Sequence, residues 1–160
     1  AEKERVDAGG EKQFHFDFAG KFFEDSEKEY FEGYVKDNEL EDYVAYHGIV
    51  GGEKKKNLLK ECYIFALPTR YPNEGQPISI LEAMGNGMFI ITTDHAGIPD
   101  IVEDGVNGIV TKSEGCFELN IDDPTIIKET ILKNRRKVTT MFTEAMYIKR
   151  MRGVFVRVGG

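Results

Sequence analysis

Cysteine is scarce in this chain, with only Cys62 and Cys116 in 160 residues. Two cysteines build neither a disulfide framework nor a metal-ligand motif. The expectation is a pair of reduced thiols in a cytosolic setting. Long hydrophobic runs are missing too. Stretches such as "MFIITT", Met88 to Thr93, fall far short of the ~20 apolar residues a membrane-spanning helix needs. No charged-then-apolar leader opens the chain, so no signal peptide is read there. Positive charge is in deficit: 21 Lys and Arg against 28 Asp and Glu give a formal net charge of -7. An acidic chain is a poor general nucleic-acid binder, and nucleic acid is not an expected partner. It can still hold a phosphate, because local backbone donors outweigh net charge there. No internal repeat or low-complexity segment occurs. What remains, 41% hydrophobic and 31% charged, fits one globular domain over residues 1–160.

Strand and helix patterns alternate along the chain. "QFHFDFAG" places Phe14, Phe16 and Phe18 at period two before a glycine, as a strand entering a turn does. "DSEKEYFEGYVKDN" then carries Tyr30, Phe31, Tyr34 and Val35 at helical spacing, with Asp25 or Ser26 as the cap. "DYVAYHGIV" predicts a short strand ending near Gly48, and "GGEKKKNLLKEC" a charged helix. "YIFALP" is a continuous apolar run stopped by Pro68, the pattern of a buried parallel strand. "PISILEAMGNG" predicts a helix with a Gly-rich C-cap and a core face of Ile78, Leu81 and Met84. "MFIITT" predicts a second buried strand, "HAGIPDIVED" a loop with a helical turn, and "GVNGIV" a turn and short strand. Two helices follow: a capped one in "DDPTIIKETILKNRRKV", with Pro124 in its first turn, and one in "FTEAMYIKRMRGVFVRV". The alternation predicts an α/β fold, a Rossmann-like parallel sheet with helices on both faces. Residues 1–12 read as a helix tail and a loop. The strand and phosphate loop that normally open a doubly wound domain have no counterpart, so a fragment of a longer protein is expected.

The chemistry concentrates in "YPNEGQPISILEAMGNG", Tyr71 to Gly87. Pro77 suits the first turn of a helix, where a missing N–H costs nothing. The N–H groups of Gly75, Gln76 and Ile78 then form, with the helix dipole, a seat for an anion. Gly75 has no side chain to keep a phosphate away. Glu74 precedes the seat, and Glu82 lies roughly 7 Å further along the helix at ~1.5 Å per residue. Two carboxylates so separated suit groups on either side of a diphosphate, and each can accept two hydroxyl hydrogens. Each glutamate alone also reads as an ordinary solvated charge.

The segment "LPTRYPNEGQPISILEAMGNGMFIITTDHAGIPDIVEDGVNGIV" resembles the donor-binding half of the family 4 retaining glycosyltransferases, the glycosyl transferases group 1. Their signature, a glutamate, seven residues and a second glutamate within E-G-x-P-x-x-x-x-E-A, is met by Glu74, Gly75, Gln76, Pro77, Glu82 and Ala83. "VAYHGIVGGEKKKNLL", "ITT", "GIPDIV" and "DGVNG" are similar to the flanking pieces. The resemblance implies the GT-B fold, two Rossmann-like domains with the active site in the cleft between them. It implies that Glu74 contacts the donor sugar at the reacting centre and Glu82 the ribose hydroxyls. Gly75, Gln76, Pro77 and Ile78 hold the diphosphate, Gly48 and Val50 lie against the base, and Lys55 matches the family's lysine. It implies transfer of a hexose from a nucleotide diphosphate sugar to a glycan or lipid-linked acceptor. Anomeric configuration is retained through same-face attack, or by a covalent glycosyl-Glu74. No metal or other cofactor is implied, and no Asp-x-Asp signature argues for one. The family's basic phosphate ligands after the first strand, and its acceptor-binding N-terminal domain, have no match. The chain alone is therefore expected to be inactive. Cytoplasmic polysaccharide, capsule or glycolipid assembly, at the inner face of the membrane, is the implied setting. The rival readings are another GT-B enzyme, such as a nucleotide-sugar epimerase or phosphorylase, and a non-catalytic nucleotide- or partner-binding module.

Other polar residues have blander readings. His95 in the "TTDHAGIPD" loop is expected to be a surface loop histidine, with a polar contact to the donor as its alternative. His15 and His47 are expected to be structural. Arg70 is read as a surface arginine, with phosphate neutralisation as the alternative. "KNRRK", Lys133 to Lys137, is read as surface charge complementing a helix end, with contact to an anionic membrane as the alternative.

Overall fold

The computed structural model describes residues 2–12, 14–111 and 124–158. Cys116 and the Asp122–Asp123 cap expected before Pro124 lie outside the described residues. The chain forms two compact units, Ala1–Leu58 and Leu59–Gly160. Each is described by itself. Among the described residues, no helix is long and apolar enough to cross a membrane.

In the first unit, α1 (Glu2–Asp7) precedes β1 (Phe16–Phe18), α2 (Asp25–Asp37) and β2 (Val44–Tyr46), and α3 (Gly52–Glu61) follows. β1 and β2 pair in parallel, Phe16 opposite Val44 and Phe18 opposite Tyr46. The cap of α2 is Glu24, one residue before the expected Asp25 or Ser26. The reason is Glu27, whose carboxylate accepts the N–H groups of Phe23 at 3.0 Å and Glu24 at 3.3 Å. That reach-back from the third helical residue defines the helix start. Of the predicted apolar face, Phe31 turns inward. It meets Phe18 and Phe22 at ring-centroid separations of 5.2 and 5.6 Å, distances at which aromatic edges attract. Tyr30 and Tyr34 face outward.

The second unit holds β3 (Ile64–Leu67), α4 (Ile78–Gly85), β4 (Phe89–Thr93), a 3-10 turn (Ile98–Asp100), β5 (Gly108–Thr111), α5 (Pro124–Met141) and α6 (Glu144–Val158). Its sheet has the order β3-β4-β5, parallel throughout. The central β4 is buried at every residue. β3, expected to be buried, is only half-buried because it has a ladder partner on one side of this sheet. The pattern agrees with the Rossmann-like reading, parallel sheets with helices on both sides.

The core gathers Ile80, Ala83 and Met84 of α4 with Met88, Ile90, Ile98, Ile101 and Val102. This corrects the expected face of α4. Ile78 is 71% exposed, and Leu81 only flanks the core. "ISILEAM" offers apolar residues in two helical phases, and packing on β3 and β4 selects the one through Ile80, Ala83 and Met84. The helix stops at Asn86 with the Gly87 N–H on the Met84 carbonyl and the Met88 N–H on the Ala83 carbonyl, both at 3.0 Å. Gly87 supplies the φ of +81° that this double-bonded stop requires.

Asn134 lies inside the "KNRRK" run yet has no solvent exposure. Its amide N–H₂ donates to the carbonyls of Met88 at 2.9 Å and Asn107 at 2.8 Å. Its oxygen accepts from the Asn107 amide at 2.9 Å. Lys137 adds a bond to the Asn107 side-chain oxygen at 3.2 Å, whereas Lys133, Arg135 and Arg136 are exposed. One asparagine thus ties α5 to the start of β4 and the turn before β5. Asn134→Leu keeps the branched shape and heavy-atom count but strands three buried polar groups. It is expected to cost about 2–3 kcal/mol, read as a lower midpoint in urea with an unchanged slope.

Candidate functional site

Of the six predicted residues, Glu74, Gly75, Gln76 and Pro77 lie on the connection from β3 to α4, and Ile78 and Glu82 lie in α4, at the carboxyl ends of parallel strands. Ligands of open α/β sheets bind at such ends. Local chemistry shapes the connection. Thr69 Oγ1 accepts the Tyr71 N–H at 3.1 Å, and the Tyr71 carbonyl accepts the Glu74 N–H at 3.0 Å, closing a tight turn. Pro77 is buried and stands at the N-cap of α4 rather than in its first turn, with φ of -63° and ψ of 112°. Extended ψ before the helix leaves Gly75 and Gln76 outside it and exposed. The first N–H groups of α4, starting with Ile78, have no intrahelical acceptor. No atom lies within 4 Å of where a side chain on Gly75 would begin. Gly75 is therefore open on the side where a side chain would stand.

Glu74 and Glu82 are both half-buried. Glu74 rides on the turn, and Glu82 is one helical turn inside α4. Ile78, the first residue of α4, is exposed.

The loop after β4 runs along this connection. Thr92 Oγ1 donates to the Leu67 carbonyl at 2.9 Å, and Thr93 Oγ1 to the Thr69 carbonyl at 2.5 Å. His95 Nε2 meets the Tyr71 carbonyl at 2.7 Å, and the Gly97 N–H donates to the Gly75 carbonyl at 3.0 Å. His95, expected as a surface loop histidine, lies half-buried in this loop and has a backbone partner. Periodicity could not show this, because the partner is a backbone carbonyl 24 residues away. Arg70 is exposed beside the turn.

Gly48 and Val50, on the turn from β2 into α3, and Lys55, in the first turn of α3, belong to the first unit. Gly48 has φ of +66°, in the left-handed region that glycine tolerates, and its carbonyl accepts the Gly20 N–H at 2.9 Å. Val50 and Lys55 are half-buried. His47 Nε2 bonds Asp17 Oδ1 at 2.6 Å, a structural link within the same unit, and His15 lies 3.8 Å from that oxygen. Among the described residues, no group of three or more His, Cys, Asp or Glu is placed to hold a metal ion.

The motif "DGVNG" turns out to be architectural. Asp104 Oδ1 accepts the Val110 N–H at 2.9 Å, Asn107 meets Asn134, and Gly108 lies against β4.

Known proteins resemble this chain in sequence and in fold. A relative in Erwinia amylovora, the amylovoran biosynthesis glycosyltransferase AmsK, is 26% identical over 135 residues, 78% of this chain and 33% of the relative. The chain thus spans about a third of that relative's length. The solved structure of Anabaena Alr3699/HepE in complex with UDP matches the fold with a TM-score of 0.77 at 20% identity, over 94% of this chain and 43% of that one. The C-terminal domain of the glycosyl transferase group 1 protein LpcC from Francisella tularensis matches with a TM-score of 0.64 at 16% identity, over 89% of this chain and 93% of that one. The family model described as glycosyl transferases group 1 matches residues 6–119, well over half of the chain, which therefore belongs to the glycosyl transferases group 1 family.

Proposed function

We propose that this chain is the nucleotide-sugar-binding domain of a retaining, GT-B hexosyltransferase in bacterial or archaeal polysaccharide or glycolipid assembly. The observation that carries the reading is the open seat at Gly75–Ile78, with one carboxylate on the turn before it and one inside the helix behind it. Such a seat matches a diphosphate, since backbone N–H groups and the helix dipole both favour anionic oxygens. Glu74 then faces the sugar and Glu82 the ribose, where a carboxylate accepts two hydroxyl hydrogens. As the sugar–phosphate bond breaks, negative charge grows on the leaving diphosphate, and fixed N–H groups stabilise it without reorganising. That stabilisation comes from the chain itself and needs no metal, which is part of the proposal. Support comes from HepE, solved with UDP, and from the near-complete match to the C-terminal domain of LpcC. The acceptor, a glycan or a lipid-linked sugar at the inner face of the membrane, is assigned to a preceding domain of the full-length protein.

Calorimetry on the full-length protein with UDP, GDP and ADP tests the reading. One nucleotide is expected to bind. Glu82→Ala is expected to weaken it by about tenfold to a hundredfold, the loss of one or two charge-assisted hydrogen bonds. Absence of heat with all of them removes the donor-site reading and leaves a non-catalytic module.

A further inference from the structure

Backbone pairing of β3 with β4 ends where Leu67 faces Thr92. The two segments nevertheless stay joined, rung by rung, all the way to the seat. Thr92 Oγ1 meets Leu67, Thr93 Oγ1 meets Thr69, His95 Nε2 meets Tyr71 and the Gly97 N–H meets Gly75, each at a backbone carbonyl. Glu74 lies between the last two rungs. Both ends of its short turn are therefore held by one loop.

The details point to a fitted contact. The Tyr71 carbonyl has two lone pairs, and both are engaged, by His95 at 2.7 Å and by the Glu74 N–H at 3.0 Å. A carbonyl only accepts, so His95 carries its hydrogen on Nε2 in this contact. Gly97 approaches so closely that a Cβ there would stand 2.9 Å from the Gly75 carbonyl oxygen. Between them, Ala96 holds a φ of +49°, a conformation that residues other than glycine seldom adopt and that surrounding structure must impose.

We infer that His95 is a positioning residue, whose Nε2–H clamps the Tyr71–Glu74 turn and fixes the Glu74 carboxylate before substrate arrives. The inference rests on the reading of this turn as the donor seat. It adds the residue that sets the seat's geometry. The effect is asymmetric. Gly75, at the phosphate end, keeps its Gly97 rung when the His95 rung is lost. The Tyr71 end of the Glu74 turn loses its tie to the loop and keeps only its local bonds. Turnover, which depends on where that carboxylate stands, suffers more than donor binding.

The test compares His95→Ala, His95→Gln and His95→Asn. A Gln amide nitrogen stands as many bonds from Cα as Nε2 does, whereas an Asn amide nitrogen matches Nδ1. In the full-length protein, Ala and Asn are expected to lower kcat by about tenfold or more with KM within about twofold, and Gln to restore kcat to within about threefold of the parent. In the ligand-free chain, amide exchange at Glu74 is expected to quicken in the Ala and Asn variants and not in Gln. Equal behaviour of Gln and Asn, or unchanged Glu74 exchange in all variants, overturns the clamp. If the parent protein neither transfers sugar nor binds UDP, GDP or ADP, the donor-site reading fails, and the ligand-free exchange pattern still decides the clamp.

Discussion

Replacing Glu74 by alanine in the full-length enzyme is expected to lower turnover by about a hundredfold to a thousandfold, and to change KM for the donor by less than about tenfold. The asymmetry follows from the position of Glu74. It is half-buried on the turn closed by the Tyr71 carbonyl, ahead of the N–H groups proposed to hold the diphosphate. Most ground-state affinity then comes from the seat and from Glu82. The Glu74 carboxylate gains importance only as positive charge grows on the sugar ring during departure of the leaving group. Glu74→Gln separates charge from hydrogen bonding. The amide still accepts a hydroxyl hydrogen, so KM should stay near the parent value while kcat falls with the lost charge. Initial rates over a range of donor concentrations read both terms. If Glu74→Ala and Glu82→Ala reduce kcat and raise KM alike, the division between a sugar carboxylate and a ribose carboxylate fails.

Much of the local geometry of that segment was legible because its parts are close in sequence. A proline, a glycine and two carboxylates within nine residues specify a helix start and its neighbours without any knowledge of the sheet. The separation of Glu74 from Glu82 along the chain already argued against a pair acting on one atom. The sugar itself came from family resemblance, not from physics. His95 was not legible. Its partner is the carbonyl of Tyr71, far away in sequence, and any residue type could have supplied that carbonyl. The same limit hid Asn134. Within a basic run it looks like one more polar surface residue, and only packing of α5 shows it bonded to Met88 and Asn107.

The elements themselves follow their periodicities. "MFIITT" became the buried central strand, and "DSEKEYFEGYVKDN" a helix with Phe31 turned inward. Errors arose where two phases were equally apolar, as at Ile78 against Ile80 in α4, or where strand order mattered. Nothing in "YIFALP" shows that β3 has a partner on only one side of its sheet. Alternation of strand and helix predicts parallel pairing, but it does not predict that the strands form a pair and a trio.

Strand order also makes Gly108 the described glycine least tolerant of a side chain. It opens β5 opposite Ile90, the second residue of β4. A Cβ there would stand 1.8 Å from the Ile90 carbonyl oxygen and 2.8 Å from the Ile90 nitrogen. Those atoms belong to the central strand, and moving them disturbs the pairing of Ile90 with Phe65 on the other side. The collision adds to the cost of a φ of +156°, which side chains rarely allow. Gly108→Ala is therefore expected to cost about 4 kcal/mol, in the range reserved for overpacking against an unyielding core. That corresponds to a fall in Tm of about 8–16 °C for a chain of this size. Gly105 provides the comparison. It has φ of +71° but nothing within 4 Å of its absent side chain. Gly105→Ala bears the left-handed penalty alone, about 1–2 kcal/mol. Thermal unfolding of the two variants should rank Gly108→Ala far below Gly105→Ala. Equal losses would mean that β5 can move away from β4, and that the "DGVNG" turn does not lock the strand in place.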